Sequence, residues 1–127
     1  MILADTSVWI EFFKSNPGFV NDMESFLENK NVITIEPVFA ELLYGSRSGN
    51  ERNMILSYWK VLPKIKFAEG SLIESADFAN KKNYHNSGIG LIDSILVKAV
   101  TENKCLIWTL DKKILNIIDD NYLYKSH

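Results

Sequence analysis

Cysteine is almost absent: Cys105 is the only one in 127 residues. A lone thiol makes no intramolecular disulfide, so the fold must stand on its apolar core, and a cytoplasmic setting is the expectation. Histidine is nearly as scarce. His85 has no cysteine or second histidine at metal-ligand spacing, and His127 is the last residue of the sequence. Neither a Ser-His-Asp nor a Cys-His constellation can be assembled from these. Long hydrophobic runs are missing too. None approaches the roughly 20 residues that span a bilayer, so no membrane partner is expected. The first residues lack the basic segment of a signal peptide and carry Asp5 inside their apolar stretch. Nor is there an excess of positive charge. Fourteen Lys and Arg face sixteen Asp and Glu, for a net charge of −2. That gives no general basic field for nonspecific nucleic-acid binding. It leaves open a nucleic-acid substrate handled by carboxylates and a divalent cation.

What is present suits one ordinary domain over residues 1–127, with 46 % hydrophobic residues and no repeat, linker or low-complexity tract. Residues 1–4 read as a buried strand, and 7–14 as a helix behind a Thr/Ser cap. "SNPG" breaks the chain at 15–18. Apolar residues at 19, 20, 23, 26 and 27 mark one face of a second helix. "NVITI" (31–35) is a β-branched strand. Pro37 opens a helix that packs through Val38, Phe39, Leu42 and Leu43 and stops at Gly45. Helices are expected over 50–60 and 71–84, the latter with Leu72, Ile73, Ala76 and Ala79 inward, and a strand over 61–67. "HNSGIG" (85–90) reads as a loop. Residues 91–103 form a helix with Ile92, Ile95, Leu96, Ala99 and Val100 on one face. "CLIWT" (105–109) is an apolar strand, 110–119 a final helix, and "YLY" (122–124) an edge strand. Continuous apolar strands alternating with helices predict an α/β protein, a parallel sheet covered on both faces. Sites in such sheets form at the carboxyl ends of strands.

Four acids stand out in that frame. Asp5 closes the first strand, and Asp111 follows "CLIWT". Glu41 interrupts "VFAELLYG", and Asp93 interrupts "GIGLIDSILVKAV". Taken singly, Asp93 also reads as a partner of a helix N-terminus, and Asp111 as the cap of the helix after it. Taken together, acids in one pocket repel, which a divalent cation relieves. Mg²⁺ and Mn²⁺ prefer oxygen ligands and can activate water toward a phosphodiester. Thr6 and Ser7 are placed to hydrogen-bond the carboxylates or waters.

"LADTSVWIEFF", "EPVFAELLYG", "GIGLIDSILVKAV" and "LIWTLDKKI" resemble, in order and interval, the four motifs of the PIN-domain family, and within it the VapC-type toxins of toxin–antitoxin pairs. The resemblance implies a three-layer α/β/α sandwich and an endoribonuclease that uses Mg²⁺ or Mn²⁺, commonly as a homodimer, neutralised by a VapB-type antitoxin. It implies that Asp5 and Asp93 are the principal metal ligands. Glu41 and Asp111 complete the acidic pocket, and Thr6, Ser7 and Thr109 support it. Arg47, Arg52, Lys81, Lys82, Lys112 and Lys113 become candidates for RNA phosphates, Lys112 and Lys113 foremost because they follow Asp111. Each also fits an ordinary solvated surface. Trp9, Phe12, Phe13, Tyr44 and Trp59 are candidates for a partner helix or a dimer, against plain core packing. Cys105 reads as a small core residue.

Three other readings compete. A haloacid-dehalogenase-type phosphatase also ends its first strand in Asp, but needs a second Asp where Ser7 stands. A response-regulator receiver needs a phosphoacceptor Asp at mid-chain, and none is there. A PIN-like module could also act only by binding protein partners; divalent-metal dependence separates it from a nuclease.

Overall fold

Three short parallel strands form the sheet of the computed structural model, which describes residues 1–126. They are β1 (Ile2–Ala4), β2 (Val32–Ile33) and β3 (Leu106–Trp108), in the order β2-β1-β3. Leu3 pairs with Ile33 on one side and Ile107 on the other. Around them lie α1 (Thr6–Phe13), α2 (Pro17–Glu28), α3 (Glu36–Tyr44), α4 (Gly49–Val61), α5 (Ser71–Lys81), α6 (Leu91–Asn103) and α7 (Lys112–Ile117). The result is the three-layer α/β/α sandwich that the alternation predicts. Because β1 is central, its two neighbours are reached by crossovers of very different length. That arrangement opens a crevice at its carboxyl end, where Asp5 sits.

Local chemistry sets the boundaries. Asn16 caps α2 through the Gly18 N–H, and Pro17 takes the first helical position. Ser48 caps α4 through the Glu51 N–H. Helix α6 is the most deeply embedded: Ser94, Ile95, Leu96, Val97, Ala99 and Val100 are all buried. Trp9 is fully buried, with its ring centroid 5.2 Å from that of Phe39 and 5.6 Å from that of Tyr58. Among the described residues no helix is long and apolar enough to cross a membrane.

Several expectations need correction. The strand expected over 61–67 contracts to one bridge, Thr34 with Lys64. Val61 still belongs to α4, and Pro63 has no N–H for a ladder. The "YLY" edge strand is likewise a single bridge, Leu123 with Ile107, after a 3₁₀ turn over Asp120–Tyr122. Helix α5 stops at Lys81, short of the expected residue 84, and a 3₁₀ turn over Tyr84–Ser87 spans the expected boundary between helix and loop. On α5, Leu72 and Ile73 face outward, 46 % and 75 % exposed, while Ser75 is buried. The hydroxyl of Ser75 donates to the Ser71 carbonyl, which lets it turn inward. His127 lies outside the described residues.

Candidate active site

Asp5 is both a structural cap and the centre of the site. It is the N-cap of α1: its Oδ1 accepts from the Ser7 N–H at 2.8 Å and the Val8 N–H at 3.3 Å. The cap expected from Thr6 and Ser7 is therefore Asp5 itself, with Thr6 the first helical residue. The Ser7 hydroxyl also donates to Oδ1, and the Thr109 hydroxyl donates to Oδ2. Oδ1 is thus saturated, while Oδ2 keeps acceptor capacity for one more partner. Both hydroxyls are in turn anchored. Ser7 accepts from the Leu110 N–H at 3.1 Å, and Thr109 accepts from the Asp111 N–H at 3.0 Å. Two short side chains therefore tie the carboxyl end of β1 to that of β3.

A cleft of about 330 Å³ opens beside Asp5, lined also by Glu41, Asp93 and Asp111. Glu41 reaches it from the middle of α3, held by the Thr6 hydroxyl at 2.9 Å. Asp93 stands in the first turn of α6, and Asp111 caps α7 through the Lys113 N–H at 2.8 Å. The four acids come from four places in the chain and meet in one cleft. They are not all core residues, as the sequence pattern suggested. Asp5 is buried, Asp93 and Asp111 are half-buried, and Glu41 is exposed. Asp5 and Asp111 are also helix caps, and Asp93 stands in a first helical turn, so a role at a helix N-terminus and a place in the pocket coexist in the same side chains.

Among the described residues no lysine or arginine lines this cleft. Desolvation pushes the Asp93 carboxyl above the usual carboxylate range, and the charges of Asp111, Glu41 and Asp5 push it further. Burial also raises Asp5, opposed by its hydrogen bonds from Ser7, Thr109 and Val8. An all-oxygen set with uncompensated negative charge fits a hard divalent cation. Among the described residues no group of three or more potential ligands closes on a single point. The set therefore suits an ion that keeps several waters, as Mg²⁺ does.

The raised Asp93 has a measurable consequence. A folded-state pKa above the unfolded value means that this group favours folding at acidic pH, and that the contribution is lost as pH rises through the folded value. Asp93→Asn should therefore gain thermal stability over wild type at pH 7 in chelator, and less at pH 4. Melting curves at the two pH values check this; an equal difference at both would contradict the crowding of charge.

The other sequence candidates separate clearly. Lys81 pairs with Asp77 at 3.0 Å, and Lys82 lies over the Phe78 ring. Lys112 and Lys113 are exposed just beyond Asp111. Lys113 runs across Gly88, whose φ of +74° favours glycine. Arg52 and His85 are exposed, and Cys105 is buried. Trp9 belongs to the core, and Phe12 and Phe13 pack against it, whereas Tyr44 is 95 % exposed and Trp59 half-buried. Arg47 lies in a second groove with Lys14 and Asn50, which the sequence pattern did not single out. Only the packing of α1 against α3, and of α3 against α4, brings those residues together.

No curated protein matches the chain. Solved structures do. One match is the crystal structure of VapBC2 from Rickettsia felis bound to a DNA fragment from their promoter. It has a TM-score of 0.69 at 22 % identity, covering 97 % of this chain and 96 % of that one. Another is FitAcB from Neisseria gonorrhoeae, with a TM-score of 0.61 at 17 % identity over 91 % of each chain. At such identities the likeness establishes the fold. The PIN domain family model matches residues 2–119, nearly the whole sequence and all four acids. The chain belongs to the PIN domain family.

Proposed function

We propose that this protein is a metal-dependent endoribonuclease, the toxin of a VapBC-type toxin–antitoxin pair acting in the cytoplasm as a single PIN domain. One observation carries the reading: four carboxylates, with no cation among them, share one cleft at the carboxyl end of the central strand. PIN domains are generally nucleases, which fits that cleft.

Asp5 and Asp93 would hold the ion, Asp5 Oδ2 being the oxygen with acceptor capacity left. Glu41 and Asp111 complete the negative pocket. When bound, Mg²⁺ or Mn²⁺ supplies a water acidified enough to attack a phosphodiester and neutralises charge on the phosphate. Ser7 and Thr109 favour the ionised form of Asp5 against its burial and fix its orientation, since both hydroxyls are supplied with donors from Leu110 and Asp111 and must themselves donate to Asp5. Thr6 holds Glu41 at the mouth of the cleft. Lys112, Lys113 and Arg47 contact RNA phosphates. The antitoxin or a second copy of this chain covers exposed apolar side chains, for which Tyr44 and Trp59 remain available while Trp9 does not.

The phosphatase alternative loses its footing. Ser7 stands where a second acid is needed, and its hydroxyl is committed to Asp5 and Leu110. A purely partner-binding PIN fold has one observation in its favour, the absence of three acids converging on a point among the described residues. Total cellular RNA incubated with the purified, partner-free protein decides between them. Discrete cuts in Mg²⁺ or Mn²⁺ that vanish in EDTA are expected; no cuts from folded protein with either ion would favour the binding module.

A further inference from the structure

A second groove, of about 680 Å³, runs beside the carboxylate cleft between α1, the end of α3 and the start of α4. The two share Thr6, Ile10 and Glu41 as a common wall. A strand lying with one phosphodiester at the acids therefore meets this groove next. From Thr6 at the cleft to Lys14 at the far end, α1 rises about 12 Å, the span of a few nucleotides.

Its lining has two kinds of side chain. Ile10 and Met54 present apolar surface, 40 % and 37 % exposed. Lys14 and Arg47 are exposed cations, and neither forms an ion pair among the described residues. The two acids in the groove are otherwise engaged. Glu41 accepts from Thr6, and Glu51 turns back to accept the Arg47 backbone N–H at 3.3 Å. The groove thus offers two cations without an ion-pair partner among the described residues, beside an apolar floor of Ile10, Phe13 and Met54, the pairing that single-stranded nucleic acid uses for phosphates and base faces.

We propose that this groove receives the RNA segment flanking the cleaved bond, with Lys14 and Arg47 on its phosphates and a base resting on Ile10 and Met54. The inference rests on the nuclease reading and extends it to one side of the scissile phosphate. Polypeptide is the other conceivable occupant. Continuity with the catalytic cleft and the two free cations favour a phosphate-bearing strand.

The test measures binding of a fluorescent single-stranded RNA by full-length protein carrying Asp93→Asn, so that the strand stays intact in Mg²⁺. Adding Lys14→Ala and Arg47→Ala should weaken binding about 10–100-fold. It should also reduce the slope of log K against log salt by about 1.4, roughly 0.7 per lost phosphate contact. In the cleavage-competent background the loss falls on KM, narrows as the RNA is shortened on that side, and is largely restored by Lys14→Arg with Arg47→Lys. Unchanged affinity and salt slope, with wild type still cutting RNA, would overturn the groove and leave the nuclease standing. Loss of a protein partner with RNA affinity intact would assign the groove to polypeptide and overturn it equally. If wild type neither binds nor cuts RNA, the nuclease reading fails and takes the groove with it.

Discussion

Asp93→Asn should reduce RNA cleavage by at least about 100-fold, the scale on which a metal-centred site responds to damage in its ligand set, without unfolding the protein. The amide is isosteric with the carboxylate and takes the same place in the first turn of α6. What it loses is the charge that Asp5, Glu41 and Asp111 crowd. The same substitution is therefore expected to stabilise the ion-free protein while destroying its activity. It should also abolish most of the rise in melting temperature that Mg²⁺ gives wild type, since only the folded state presents the ligand set. Kinetics beside melting curves, each with and without Mg²⁺, measure this. A variant that cuts at the wild-type rate would remove Asp93 from the centre. One that is inactive because it melts lower than wild type would make Asp93 a structural residue.

Thr109→Val carries the second large effect, this time on stability. Thr109 is 6 % exposed and bridges two groups: it donates to Asp5 Oδ2 and accepts from the Asp111 N–H. Valine fills the same volume with no polar atom. Asp5 then keeps a buried oxygen with no protein donor, and the Asp111 N–H loses its partner. Each stranded group costs about 1–3 kcal/mol. For the two together, about 2–6 kcal/mol, the melting temperature should fall by roughly 7–22 °C. Cation affinity should fall about 10–100-fold, because the carboxylate is no longer oriented. Thr109→Ser, which keeps the hydroxyl, is expected to retain most of both. Calorimetric unfolding and Mg²⁺ titration of the two variants distinguish a lost bridge from a lost methyl group. Equal damage by serine and valine would mean that packing, not the hydroxyl, matters at this position.

The parts of this molecule that were legible beforehand are those governed by local pattern. The apolar face of α6, the Pro37 and Gly45 punctuation of α3 and the buried runs of β1 and β3 depend on neighbours in sequence, and they hold within a residue or two. The failures are tertiary. Whether 61–67 pairs as a strand depends on what lies beside β2, and Pro63 together with the extension of α4 to Val61 limits it to Lys64. Leu72 and Ile73 look inward on a helical wheel, yet α5 packs on α6 through another face.

The acids show the same division. Their order along the chain and their motif spacing pointed to a shared pocket, and the cleft contains all four. Their degrees of burial, and the double use of Asp5 and Asp111 as caps, depend on how β1 and β3 align and could not be read from spacing. Ser7 was legible from its place beside Asp5, whereas Thr109 was suspected only through the family likeness. Their connection, both hydroxyls donating to Asp5 while Ser7 accepts from the Leu110 N–H across the sheet rim and Thr109 from the nearby Asp111 N–H, becomes apparent only in three dimensions. Lys14 had no sequence signal at all, since its significance comes from Arg47 across the groove.

The central claim is that these carboxylates hold a divalent cation to hydrolyse RNA. The most direct measurement is cleavage of a defined RNA by wild type and by Asp5→Asn, in Mg²⁺ and in EDTA, with the chemistry of the new ends determined. The account predicts cuts leaving 5′-phosphate and 3′-hydroxyl ends, produced by wild type only with the ion and not by Asp5→Asn. Cuts that persist in EDTA, or that Asp5→Asn makes as fast as wild type, would contradict it.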